Sequence, residues 1–193
     1  MNAVTLNFRP LLDFTDDQFY QLCQSNPDAK LERTATGEIV IMSPTGGHTG
    51  NKNLDILGQL WVWISQNREL GFGFDSSTGF KLPNGALRSP DASWIKLERW
   101  ESLTPDQRRK FPPLAPDFVV EVKSVTDSVE EVRVKMREYR DNGVRLGWLI
   151  NPQDKIVEIY RLLKDVEVLE SPLMVLGEDV LPGFVLDLKR IFT

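Results

Sequence analysis

The chain has 193 residues and a mass of 22.0 kDa, the size of one globular domain with a proper core, and its net charge of −5 with a pI near 5.0 excludes holding nucleic acid by bulk positive charge. One cysteine, Cys23, and one histidine, His48, exclude an internal disulfide and a zinc site of Cys and His ligands. The opening MNAVTLNFRPLLDF has no apolar signal core behind basic residues, and no run of about 18 apolar residues occurs, so a soluble cytoplasmic protein is expected.

In chain order, TDDQFYQLC at 15–23 reads as a short helix with Thr15 as N-cap, acids in its first turn, and Phe19, Leu22 and Cys23 on one side. LERTATGEIVIMSP then reads as a hairpin about a turn at Ala35 to Gly37. After SPTGGH, the segment 49–68 has Leu54, Leu57, Trp61 and Ile64 at helical spacing and stops before Gly71, which predicts a long helix. Residues 72–83 and 91–96 read as strands joined by the turn PNGALRSP. The charged, proline-rich stretch 97–116 reads as a loop with one helical turn from Thr104 to Arg109.

PDFVVEVKS at 116–124 is a compact strand, apolar on both faces except at two positions, as expected of a central strand. Ser128 to Asn142 predicts a helix closed by Gly143, with Val129, Val132, Met136 and Tyr139 as its buried stripe. Two strands about a turn at Asn151 to Asp154 follow, then a β ribbon and a last short element. The absence of repeats, low-complexity tracts and linkers predicts a single domain over 1–193. The five tryptophans lie within apolar patterns, so core packing is expected of them rather than base stacking.

The chemistry turns on the central strand. Alternation puts Val119, Glu121 and Lys123 on one face and Phe118, Val120 and Val122 on the other. Two charges on such a strand must pair with each other, bind an ion or emerge at a strand end. Ser-Pro-Asp at 89–91 sets a second carboxylate at the head of a neighbouring strand, from which Asp91 can converge on Glu121. Two carboxylates with little His or Cys nearby suit a hard cation, Mg²⁺ or Mn²⁺. A lysine two residues on would help position or deprotonate an attacking water. Asp117 also follows a proline and stays open as a substitute for Asp91. His48 reads as a cap of the long helix or as a group near the site mouth.

Pro90-Asp91 followed by Glu121-Val122-Lys123 resembles the PD-(D/E)XK nuclease superfamily, which implies a mixed α/β restriction endonuclease-like fold with an αβββαβ core. More closely, GEIVIMSPTGGH at 37–48, SPDASWI at 89–95, PDFVVEVKS at 116–124, Lys135 with Tyr139, and GWLINPQ at 147–153 resemble the Uma-type (DUF820-like) family of bacterial restriction endonuclease-like proteins. The resemblance spans roughly residues 15–193. It implies an N-terminal helix and hairpin before the core and β additions after it. It also implies that Asp91 and Glu121 are metal ligands and Lys123 the catalytic lysine. Glu38 matches an acidic position on the family's first hairpin, as a further ligand or a water-orienting group. Gly147-Trp148 departs from the aromatic pair the family often shows there, which touches packing rather than chemistry.

The expectation is therefore a Mg²⁺-dependent endonuclease acting on DNA, working as a homodimer by analogy with nucleases that cut both strands. The middle segment, 81–145, has 13 basic and 11 acidic residues and is the one net-basic stretch from which phosphates would be met. Lys135, one step off its helix's apolar stripe beside Arg133, Arg137 and Arg140, reads as part of a solvated basic face, with phosphate contact as the alternative. Two rivals remain: a non-catalytic module that keeps the fold for binding or assembly, and a hydrolase of a smaller phosphoester in a closed pocket.

Overall fold

In a computed structural model, which describes residues 3–193, a central six-stranded sheet is sandwiched between two helices. Its core follows the order α2 (Gly47–Gln66), β4 (Gly71–Asp75), β7 (Ala92–Lys96), β8 (Phe118–Val122), α5 (Val129–Asp141) and β9 (Leu146–Asn151). That is the αβββαβ succession. Strands β10 (Ile156–Arg161) and β11 (Glu167–Glu170) extend the sheet beyond β9, giving the spatial order β11-β10-β9-β8-β7-β4. Only β8 and β9 run parallel, since the α5 crossover between them returns the chain to the same end of the sheet.

The apolar content of β8 follows from its position. Phe118, Val120 and Val122 face Ile56, Leu60 and Trp63 of α2, while Val119 faces Met136 and Tyr139 of α5. With both faces covered, an apolar side chain is favoured at every position, each fully buried one contributing about 1.5–3 kcal/mol. Gly147 lets α5 approach, because a Cβ there would stand 2.7 Å from the Met136 terminal methyl and 3.3 Å from Val119. Gly143 ends α5 at φ +99°, in the left-handed region that glycine enters without strain.

A second, five-stranded sheet has the order β1-β3-β2-β6-β5. It consists of β1 (Val4–Leu6), β2 (Lys30–Arg33), β3 (Ile39–Met42), β5 (Phe80–Lys81) and β6 (Leu87–Arg88). The hairpin of β2 and β3 is the one expected. Helix α1 (Asp16–Ser25) starts at a capping box in which Thr15 and Gln18 satisfy each other's backbone N–H, and it buries Phe19. The ribbon of β12 (Met174–Leu176) and β13 (Val185–Asp187) adds Val175 and Leu186 to the α2 side of the core.

Several expectations are corrected. Residues 72–83 are not one strand: Asp75 accepts hydrogen bonds from both the backbone N–H and the hydroxyl of Ser77, and the resulting turn sends β4 and β5 into different sheets. The stretch 97–116 holds a second short helix, α3 (Leu97–Glu101), besides α4 (Pro105–Arg109) with its Thr104 cap. The buried face of α2 is Ile56, Leu60, Trp63 and Ile64, leaving Leu54 66% and Trp61 60% exposed, so Trp61 is not a core residue. No helix among the described residues is long and apolar enough to cross a membrane.

Candidate active site

The two sheets meet at the segment from Leu87 to Ala92. Arg33 of β2 pairs with Leu87 of β6, and five residues later the chain enters β7 of the other sheet. Ala92 lies opposite Val120 in the β7–β8 ladder, so one step on Asp91 comes level with Glu121. Asp91 is fixed there by its own Oδ2, which accepts the Val122 N–H at 2.9 Å. Its other oxygen has no hydrogen bond among the described residues. Asp91, Val122 and Ser124 line a cleft of about 200 Å³ whose opposite wall includes Thr45, Thr49 and Asn53 at the start of α2.

Glu121 is 8% exposed and points toward α5, as its strand parity requires. Its Oε1 accepts from the Tyr139 hydroxyl at 3.0 Å and lies 2.8 Å from Lys135 Nζ. Lys135 Nζ also lies 2.9 Å from Oε1 of Glu32, a residue only 2% exposed. Glu32 takes in addition the Ser89 N–H at 2.8 Å and Arg88 Nη1 at 3.1 Å, and Arg88 Nε reaches Glu138 at 2.6 Å. A ladder of alternating charge thus runs from α5 through β8 to the hairpin.

The electrostatics follow from this geometry. Burial, together with the Asp91 and Glu32 carboxylates, pushes Glu121 up to about 7 in spite of Lys135. Burial works in the same direction on Glu32, but Lys135 and Arg88 outweigh it and hold that carboxyl below its ordinary value. The Lys135 ammonium is opposed by burial and stabilised by Glu121 and Glu32, which hold its pKa above the usual lysine value. Burial and the same two carboxylates raise the Tyr139 phenol, so it stays a hydrogen-bond donor. Fully ionised, four carboxylates, Asp91, Glu121, Glu32 and Glu138, stand against two cations, Arg88 and Lys135, and the proton that Glu121 retains up to about 7 lessens the imbalance.

Among the residues expected from sequence, Asp91 and Glu121 come together. Lys123 lies just past the end of β8, half-buried, with its amine donating to the Ser124 carbonyl at 3.1 Å and to Gln153 at 3.3 Å. Glu38 sits in the hairpin turn, where the hydroxyls of Thr34 and Thr36 occupy its Oε2 at 3.2 and 3.0 Å. The hairpin acid that joins the cluster is Glu32, two pairs further from the turn on the same face. Asp117 is engaged elsewhere, accepting the Lys96 N–H at 2.9 Å and pairing with Arg99 at 2.9 Å. His48 is exposed in the first turn of α2 and does not cap it.

Lys135 is the chief correction, since it is a partly buried member of the charge ladder and not part of a solvated face. The arginines named beside it do face carboxylates: Arg133 with Glu158, Arg137 with Glu130 and Arg140 with Asp141. The sequence carried a signal for Lys135. It lies three residues after Val132 and four before Tyr139, which places it on the buried side of the helix. Glu32 had no comparable mark, being one of two adjacent charges in LERT.

A family model described as "Uma2: Putative restriction endonuclease" matches residues 16–189. Among solved structures, one described as a putative nuclease belonging to DUF820 from Anabaena variabilis superposes with a TM-score of 0.76. It is 20% identical, with 93% of this chain and 97% of that one covered, a likeness of fold. Among curated proteins none matches the chain.

Proposed function

The chain belongs to the Uma2 family, and from that premise we propose that it is a divalent-metal-dependent nuclease that hydrolyses DNA phosphodiester bonds, with Asp91 and Glu121 as metal ligands and Lys123 as the catalytic lysine. The observation that carries this reading is the β7–β8 register, which brings Asp91, on the wall of an open cleft, level with Glu121 at one end of the sheet.

The residues fit a hard cation. Among the described residues no three His, Cys, Asp or Glu side chains gather as a metal cage. Mg²⁺ does not need one, because it keeps several waters and is commonly bound through one or two carboxylates. Asp91 and Glu121 each have an oxygen to which no described residue donates, and with Glu121 ionised the cluster carries an excess of negative charge that a divalent ion would offset. When bound, such an ion activates water and offsets charge on a phosphoryl oxygen.

The chain's own groups do the rest. The Lys123 ammonium, steered by Ser124 and Gln153 away from Glu121, is half-exposed and available to offset negative charge on the reacting phosphate or to orient the attacking water. Lys135, partly buried between two carboxylates, keeps its proton and serves Glu121 and Glu32 instead. Glu38, held by two threonine hydroxyls, belongs to the turn. Cutting both strands of a duplex calls for two such sites, so the proposed assembly is a homodimer.

The experiment is cleavage of plasmid and single-stranded DNA with Mg²⁺ or Mn²⁺, comparing the natural protein with Glu121→Ala and Lys123→Ala after each is checked for folding. Cleavage that EDTA abolishes and both variants lack supports the reading. No cleavage, with no metal binding that depends on Glu121, transfers the fold to a non-catalytic binding role.

A further inference from the structure

Two groups meet the Glu121 carboxylate at the same oxygen. Oε1 accepts the Tyr139 hydroxyl at 3.0 Å and lies 2.8 Å from the Lys135 ammonium as an ion pair, while no described residue donates to Oε2. Lys135 and Tyr139 are one helical turn apart on α5 and so present their polar ends together. Lys135 is itself braced. Its ammonium is shared with Glu32, which the Ser89 N–H and Arg88 hold from the other sheet. If the lysine swung away, Glu32 and Glu121 would be left as two buried carboxylates without their common cation, which disfavours the movement.

Building on the nuclease reading, we propose that Lys135 and Tyr139 are positioning residues for Glu121. They clamp Oε1 and thereby present Oε2 to the divalent cation, with Glu32 as the strut that keeps Lys135 in place. A free carboxylate exchanges its two oxygens by rotation. Here a rotation breaks the Tyr139 hydrogen bond and the close Lys135 ion pair at once, so the ligand oxygen is chosen before the ion arrives. Groups that orient metal ligands in this way commonly change metal affinity by about 10–100-fold when removed.

The sign of the effect separates positioning from plain charge. Lys135 is positive and repels a cation, so by charge alone its removal tightens metal binding, whereas loss of a clamp weakens it. The test is Mn²⁺ binding to the full chain, read by calorimetry and by the electron paramagnetic resonance spectrum of the bound ion, with thermal unfolding in EDTA as the check on folding. Lys135→Met is expected to bind Mn²⁺ about 10–100-fold more weakly and to broaden the bound-ion spectrum, and Lys135→Arg to restore most of the affinity. Tyr139→Phe, which removes one hydroxyl and carries the test if Lys135→Met does not fold, is expected to weaken binding about 10-fold. Folded variants that bind Mn²⁺ as tightly as the natural protein, or more tightly, overturn the clamp and leave the nuclease reading standing. A natural protein that neither binds Mn²⁺ nor cuts DNA overturns both.

Discussion

Glu121 and Lys123 sit two residues apart at the end of β8, yet they do not pair: the ammonium on Glu121 comes from Lys135 of α5, and the Lys123 amine is turned to Ser124 and Gln153. On the proposed reading the two lysines are divided between support and chemistry. Lys123→Met should lower DNA cleavage by about 100-fold or more, the scale of a lost proton-transfer or charge-offsetting group. Its stability should stay within about 0.5 kcal/mol of the natural protein, since the amine is half-exposed and leaves no buried charge behind. Cleavage rates and urea unfolding of the same preparation check both halves.

Asp91 has two tasks that one pair of substitutions separates. Asp91→Asn keeps a side-chain oxygen for the Val122 N–H but removes the charge, so it should fold normally, bind Mn²⁺ poorly and cut nothing. Asp91→Ala loses the acceptor as well and should be less stable by about 1–3 kcal/mol, the cost of a buried donor left without a partner. Calorimetry with Mn²⁺ and chemical denaturation distinguish them.

In the metal-free protein the stability due to Glu121 should fall as pH rises. Its carboxyl, ordinarily at 4.5, is pushed up to about 7 in the folded chain. Its contribution is therefore complete below 4.5 and is lost as pH climbs through about 7. Glu32 runs the other way, because its folded value is lowered: its contribution is present above 4.5 and is lost only in acid. Melting temperatures in EDTA between about pH 5 and pH 8 should decline for the natural protein and be nearly flat over that range for Glu121→Gln. An equal decline in Glu121→Gln would assign the effect to another group.

Glu32 and Glu38 lie on one face of the same hairpin and should behave oppositely. Glu32→Ala leaves Lys135 and Arg88 short of a buried partner and should cost about 3–5 kcal/mol. Glu38→Ala exposes two threonine hydroxyls to water and should cost under about 1 kcal/mol with cleavage unchanged. Thermal unfolding of the pair, followed by the plasmid assay, decides which acid the site depends on.

The order of helices and strands in the core was legible because each element carried its own punctuation: Thr15 and Thr104 as caps, Gly143 as a stop, the β-branched run 118–122 as a strand covered on both faces. The phase of α2 was not. Leu54, Leu57, Trp61 and Ile64 make as good an apolar stripe as Ile56, Leu60, Trp63 and Ile64, and only docking on the sheet selects between them. Asp91 and Glu121 could be found because a carboxylate beside an apolar strand is conspicuous. Glu32 and Lys135 could not be joined on sequence, since their contact depends on where two separate sheets place them.

That contact spans 103 residues of chain, and the Glu32–Ser89 bond spans 57. Closing such loops costs conformational entropy that local contacts do not repay, so these bonds form late in folding. Until the hairpin docks, Lys135 and Glu121 lack their Glu32 partner, and the cluster is a loosely matched pair at one end of the sheet's interior strand β8. Any event that peels residues 30–42 from the body of the protein would, on the proposed reading, disarm the site from a distance without touching Asp91, Glu121 or Lys123.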